Sequence, residues 1–242
     1  MILFPKDKNM GFLNFLFPKK CVLCGEMIGK SSGVPFCDIC YSKYLMLKKE
    51  KCPVCRKEEA FCRCRADMLR TFGQKVSERH IFGFDSGISK KLIYTFKRSN
   101  NRALQNFFAR ECADIIENEI DGKKDGDYVL AYPPRSVSGK KKYGFDQAFV
   151  LSKKISDITG IPLVKLFKRK LFGEEQKNLS AKERTENAVN VFYAAKNANV
   201  KGKSVIIIDD VVTSGSTVWA LCNILCELGA EKIYIVSPAK VR

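Results

Sequence analysis

Long hydrophobic runs are missing from this 242-residue chain. No apolar stretch approaches the ~20 residues that a membrane-spanning helix needs, which excludes an integral membrane protein built on helices. The apolar N-terminal segment Gly11-Phe-Leu-Asn-Phe-Leu-Phe17 is short, is interrupted by Asn14 and ends at Pro18-Lys19-Lys20. It has no small-residue cleavage site, so it reads as a packing segment and not a signal peptide. Met10 reads as the functional start, with the nine residues before it dispensable, and residues 1–10 are set apart from the cysteine module as an N-terminal extension. Histidine is nearly absent: His80 stands alone, inside the strand-like run Arg79-His-Ile-Phe-Gly-Phe84, and reads as an ordinary strand residue and not a ligand or base. Acidic residues are also scarce, with 26 Asp+Glu against 43 Lys+Arg and a net charge of +17. With 45% hydrophobic residues the chain is too apolar to be disordered over most of its length. It remains strongly basic even if eight thiolates bind two zinc ions, so phosphates are the expected partners. Charge alone does not say whether those phosphates belong to a small substrate or a polymer.

Cysteine, by contrast, is abundant and clustered. Eight of the 11 cysteines fall into four close pairs, Cys21-x2-Cys24, Cys37-x2-Cys40, Cys52-x2-Cys55 and Cys62-x-Cys64. Such pairs curl the backbone so that both sulfurs face one ion, and four thiolates complete the tetrahedron that zinc prefers. Without a signal peptide the compartment is read as cytoplasmic and reducing, which favours zinc over disulfides. The all-sulfur sets leave no open position, so the zinc, one ion or two, is structural and not catalytic. Spacing leaves three arrangements open: sequential grouping (Cys21, Cys24, Cys37, Cys40 and then Cys52, Cys55, Cys62, Cys64), a cross-braced grouping, or one occupied site.

Residues 11–70 are therefore expected to form a double zinc-ribbon module, and residues 71–242 an α/β domain with a mostly parallel, twisted sheet flanked by helices. Within it, 78–85, 128–132, 162–167, 204–209 and 232–237 read as strands. Segments 87–98, 101–119 and 145–159, and one ending near Gly229, read as helices. Residues 121–126 and the basic stretch 135–143 read as loops, and the charged, aperiodic segment 168–192 as a flexible arm.

The chemistry concentrates in Val205-Ile-Ile-Ile-Asp-Asp-Val-Val-Thr-Ser-Gly-Ser-Thr217. A run of β-branched residues makes a buried parallel strand. Asp209 and Asp210 then fall at its C-terminal end, where open α/β sheets place their ligands. The loop Thr213-Ser214-Gly215-Ser216-Thr217 leads into a helix, and its amides, hydroxyls and helix N-terminus suit a phosphate. Diol-binding carboxylates beside a phosphate nest describe a ribose-5-phosphate site. The Pro133–Tyr143 stretch, with Arg135, Lys140, Lys141 and Lys142, suits a diphosphate.

The Asp209–Thr217 segment resembles the signature of the type I phosphoribosyltransferases, which bind 5-phosphoribosyl-1-diphosphate (PRPP) with magnesium. The whole chain from about Phe12 to Ser237 resembles the ComF family, which joins a four-knuckle cysteine module to a small phosphoribosyltransferase domain. The resemblance takes in Tyr143-Gly-Phe-Asp-Gln-Ala148, where the family usually shows Arg-Gly-Phe-Asn-Gln, so Tyr143 stands in place of an arginine and Asp146 in place of an asparagine. It also takes in Arg169, Gln176, Leu179, Arg184, Asn187 and Phe192, spaced as in the family's arm. Lys97 lies where the family tends to place a lysine. The resemblance implies that Asp209 and Asp210 contact the ribose hydroxyls and magnesium-bound water, that Val211 and Val212 belong to the PRPP-binding run, and that Thr213, Ser214, Gly215, Ser216 and Thr217 wrap the 5-phosphate. It also implies that Arg135, Lys140, Lys141, Lys142, Gln147, Arg169, Gln176 and Arg184 serve the diphosphate and the hood. It further implies a role in natural transformation and the uptake and handling of single-stranded DNA, beside a competence helicase and a recombination mediator. Two other readings remain at this stage, a phosphoribosyltransferase of nucleotide metabolism with an unknown acceptor and a non-catalytic PRPP sensor. Glutamine-driven amination is not expected, because the early cysteines are committed to zinc.

Overall fold

The computed structural model describes residues 19–28, 33–85, 87–119, 127–170 and 191–241. The N-terminal apolar segment, the polar loop 121–126, and Gln176 and Arg184 of the arm lie outside the described residues. In chain order the elements are helix α1 (Asp38–Lys48), 3-10 turns at Glu59–Phe61 and Asp67–Lys75, strand β1 (Val76–Gly83), helices α2 (Gly87–Arg98) and α3 (Arg102–Glu119), strand β2 (Tyr128–Ala131), helices α4 (Val137–Tyr143) and α5 (Gln147–Thr159), strands β3 (Phe167–Arg169), β4 (Phe192–Ala194), β5 (Ser204–Ile208) and β6 (Val211–Val212), helix α6 (Ser216–Glu227) and strand β7 (Ile233–Lys240).

The sheet runs β1-β7-β5-β2, every pair parallel, with β6 added beside the C-terminal half of β7. Side chains alternate across a strand, and here both faces are covered. Ile206, Ile208 and Val236 join an apolar cluster with α2, α3 and α5, while Val205, Ile207, Ile233 and Ile235 join a second cluster with α6. This double burial is why β5 is a continuous apolar run and not an alternating one.

The cysteine-rich segment does not stand apart. Cys21, Leu23, Phe36, Cys40, Tyr44 and Leu47 belong to the same apolar cluster as Ile81, Phe82, Leu92 and Phe96. Phe107 of α3 meets Phe36 at 5.1 Å and Tyr44 at 5.0 Å, both edge to face, a geometry that adds roughly 0.5–1.5 kcal/mol per pair beyond the area buried.

Two local expectations are corrected. The basic stretch 135–143 is not a loop throughout: Val137–Tyr143 is helical, because the Ser136 hydroxyl caps it by accepting from Gly139 N at 3.0 Å and Gly144 closes it at φ 77°. Residues 162–167 do not form a strand along their length. Leu163 makes a single parallel bridge to Leu130. Leu166 N then donates to the Val164 carbonyl, and this turn carries the chain into the antiparallel β3–β4 pair at the base of the arm.

Candidate functional site

Strand β5 ends at Ile208 and the chain leaves the sheet, placing Asp209 and Asp210 on the floor of a cleft of about 470 Å³. Asp209 is buried, and its Oδ1 accepts from Asp210 N at 2.8 Å. Burial, and then the neighbouring Asp210 charge, push the Asp209 carboxyl well above the usual carboxylate range. Such a carboxyl sits ready for cation and hydroxyl partners that would favour its ionised form. Lys97, at the end of α2, holds its Nζ 3.5 Å from Asp210 Oδ2.

The chain then re-enters the sheet as β6. Val211 lines the cleft, whereas Val212 faces the second apolar cluster. Thr213 and Thr217 line the cleft and Gly215 turns the chain at φ 82° as the N-cap of α6. Gly215 has no side chain to cap this helix, and its first amide, Ser216 N, reaches Ser214 Oγ at 3.4 Å. The amides of Thr217 and Val218 that follow face the open N-terminus, where an anion binds. The Ser214 and Ser216 hydroxyls meet each other at 2.6 Å.

The cleft also carries cations. Arg135, Lys142 and Arg169 line the cleft with Pro133, Pro134 and Phe192. Tyr143, the departure from an arginine, carries the Arg135 guanidinium 4.4 Å above its ring and Lys142 Nζ at 5.5 Å. The aromatic ring thus gathers two cations where the resemblance led one to expect a third. Asp146, the departure from an asparagine, caps α5 by accepting from Phe149 N at 3.3 Å, accepts Arg135 N at 3.2 Å and pairs with Lys140 at 3.6 Å. Lys140 is thereby engaged beside the cleft, and Lys141 is exposed outside it. Gln147 does not reach the cleft. It is fully buried, and its Nε2 donates to the Lys97 carbonyl at 2.6 Å, so it fixes the lysine that faces Asp210. Lys97 is the site residue that local pattern undervalued, because its partner Asp210 lies far along the chain, at the end of β5.

The cysteines form two sequential groups, Cys21, Cys24, Cys37 and Cys40, and Cys52, Cys55, Cys62 and Cys64, with the sulfurs of each group within 4.8 Å of one another. Cys24 and Cys37 Sγ are 3.6 Å apart and Cys55 and Cys62 Sγ 3.7 Å. Four thiolates around zinc at ~2.3 Å put the sulfurs roughly 3.8 Å apart, so both groups fit the ion. The two knuckles repeat one geometry. Cys21 N donates to Glu26 O and Gly25 N to Cys21 O in the first, as Cys52 N does to Lys57 O and Arg56 N to Cys52 O in the second. Gly25 and Arg56 both take positive φ, at 82° and 61°.

Beneath the second group lies a buried polar network. Glu78 is fully buried and its carboxylate accepts from Ala66 N at 2.7 Å, Lys240 Nζ at 3.0 Å and the His80 ring at 3.0 Å. The other His80 nitrogen meets Ser237 Oγ at 2.8 Å, so the lone histidine is a strand residue held in a structural network. Burial opposes ionisation of Glu78, but the hydrogen bond and charge of His80, with Lys240, overcome it and hold the carboxyl down at about 2. A depressed carboxyl stabilises the fold above its unfolded value, and that contribution is lost as pH falls through the folded value. The melting temperature is therefore expected to fall between about pH 4.5 and about pH 2 by an amount equivalent to on the order of 3 kcal/mol from this group. Glu78→Gln should flatten that part of the profile. An unchanged acid profile in thermal melts of the variant would contradict it.

Among known proteins, the phosphoribosyl transferase domain family matches residues 146–242. The competence protein ComFC of Streptococcus pneumoniae is 24% identical over 227 residues, covering 88% of this chain and 96% of its own. The competence protein F of Haemophilus influenzae is 28% identical over 248 residues, covering 96% and 99%. A hypoxanthine-guanine phosphoribosyltransferase structure from Bacillus anthracis aligns with TM-score 0.38 and 17% identity, covering 55% of this chain and 66% of its own. Among the described residues no helix is long and apolar enough to cross a membrane.

Proposed function

This chain belongs to the ComF family, and we propose that within it the protein binds PRPP with magnesium in the Asp209–Thr217 cleft and acts in the cytoplasm on single-stranded DNA taken up during natural transformation. The observation that carries the ligand is the arrangement of one cleft. Two adjacent carboxylates at a strand end, Thr213 and Thr217 flanking a glycine-turned helix N-terminus, and the cations Lys97, Arg135, Lys142 and Arg169 line the same cleft.

In this reading Asp209 and Asp210 accept the ribose hydroxyls, and the amides and hydroxyls of Thr213–Thr217 receive the 5-phosphate. Arg135 and Lys142, stacked on Tyr143, face the diphosphate, while Asp146 holds the Arg135 backbone and Lys140, and Gln147 holds the Lys97 backbone, in place. Magnesium, when bound with PRPP, supplies further positive charge to the diphosphate. The residues of the arm, including Gln176 and Arg184, complete the reading as a cover over the ligand. The zinc held by the two cysteine groups is structural, since each set is closed. A competence helicase and a recombination mediator are the protein partners the family implies.

The DNA reading is supported by the net charge of +17 and by the competence names of relatives matching nearly the whole chain. Single-stranded binding of this kind is dominated by counterion release. The affinity for a fluorescein-labelled oligothymidine, followed by anisotropy, is expected to fall at least ~10-fold between about 50 and 200 mM salt. Affinity that ignores salt over that range, or no binding at low salt, would remove DNA from the account.

A further inference from the structure

We propose that Ala66 is a positioning residue for the phosphate loop, so that the metal held by Cys52, Cys55, Cys62 and Cys64 is coupled energetically to ligand binding in the cleft. The inference rests on Thr213–Thr217 being that loop, and it begins from a contact with no local signal. A side chain on Gly215 would place its Cβ 2.9 Å from the Ala66 Cβ. The loop glycine is thus constrained twice, by its φ of 82° and by the methyl group pressed against it.

Ala66 has little freedom to move. It lies two residues beyond Cys64, its amide donates to the buried Glu78 carboxylate at 2.7 Å, and the intervening Arg65 donates to the carbonyls of Gly73 and, at 2.8 Å, Val76. A second tie runs through Lys240, whose Nζ donates to the Cys64 carbonyl at 3.1 Å and pairs with Glu78. Lys240 stands in register with Val212, the residue before the phosphate loop. A third contact follows Ala66, where Phe72 meets Trp219 of α6 at 6.5 Å between ring centres. The second thiol group therefore reaches the loop through a short, hydrogen-bonded segment, whereas Cys21 and Cys40 of the first pack into the other apolar cluster, with Phe36, Tyr44 and Leu47. If the two sites are coupled, the effect runs both ways in binding free energy; strain placed on the loop is then expected to reach the metal through Ala66, and displacement of Ala66 to weaken the ligand.

Two variants test this on the full, zinc-loaded chain. Gly215→Ala pushes on Ala66. Release of zinc to a chromogenic chelator is expected to quicken about tenfold for one of the two ions and to stay unchanged for the other. Adding Ala66→Gly should restore the slow rate, although it does nothing for the backbone strain at position 215. Ala66→Leu pushes from the opposite side, and titration with PRPP and magnesium should show about tenfold weaker binding with both zinc ions retained. Unchanged release of both ions from Gly215→Ala, or quickened release that Ala66→Gly does not restore, would overturn the coupling. If Gly215→Ala does not fold, wild-type affinity in Ala66→Leu overturns it. Wild-type protein that binds no PRPP would instead sink the ligand reading, and the release measurement would still decide whether loop and metal are linked.

Discussion

Replacing Asp209 and Asp210 together by asparagine is expected to weaken PRPP binding at least ~100-fold while leaving the fold intact. In the proposed site each carboxylate would accept from ribose hydroxyls through charge-assisted bonds worth about 1.5–3 kcal/mol, and two such losses reach two orders of magnitude or more. The fold does not depend on these charges. Asp209 is buried beside a like charge, and its carboxyl is pushed upward by both, so the neutral isostere removes a cost. Asp210 gives up a pair with the partly exposed Lys97, a contact worth little in water. Isothermal titration with PRPP and magnesium reads the first effect, and a thermal melt at or above the wild-type midpoint reads the second. A variant that binds PRPP like wild type would show that the aspartates do not hold the ribose.

The second large effect concerns the metal. Stripping zinc with a strong chelator is expected to lower the melting temperature of the whole chain by more than about 10 °C, in one transition. A closed tetrathiolate site contributes its binding free energy to folding, and for a chain of this size each kcal/mol moves the midpoint by roughly 2–4 °C. The loss spreads because Cys21, Cys40, Phe36 and Tyr44 share a core with Ile81, Phe82 and Phe96 of the sheet and its helix. Elemental analysis should give two zinc ions per chain before treatment. A separate, early transition that leaves the sheet's unfolding unmoved would show instead that the cysteine segment folds on its own.

What could be read in advance follows the range of the interactions. The β5 run, the aspartate pair and the glycine turn are contiguous, and each feature is dictated by its own neighbourhood: burial on both faces, the end of a strand, the start of a helix. The sequential thiol grouping became clear only in three dimensions, since pairs at these spacings suit several pairings and backbone geometry chooses among them. Helix α4 was hidden because its lysine run has no apolar period and its only start signal is the Ser136 cap. The 162–167 stretch looked like a strand by composition, but its place at the sheet edge leaves it one bridge, at Leu163. Gln147 belonged to a recognisable motif, yet its partner is a main-chain carbonyl 50 residues away. The Ala66–Gly215 contact joins residues far apart in sequence and leaves no periodic or compositional trace.

The central claim is that one cleft holds both ends of PRPP, and phosphorus NMR of PRPP with magnesium tests it on a single sample. On adding zinc-loaded wild-type protein, the 5-phosphate and the diphosphate resonances should both shift or broaden saturably, the first through the Thr213–Thr217 loop and the second through the Arg135, Lys142 and Arg169 wall. Resonances that stay sharp and unmoved at stoichiometric protein would contradict the account, leaving a fold that carries the loop without its ligand.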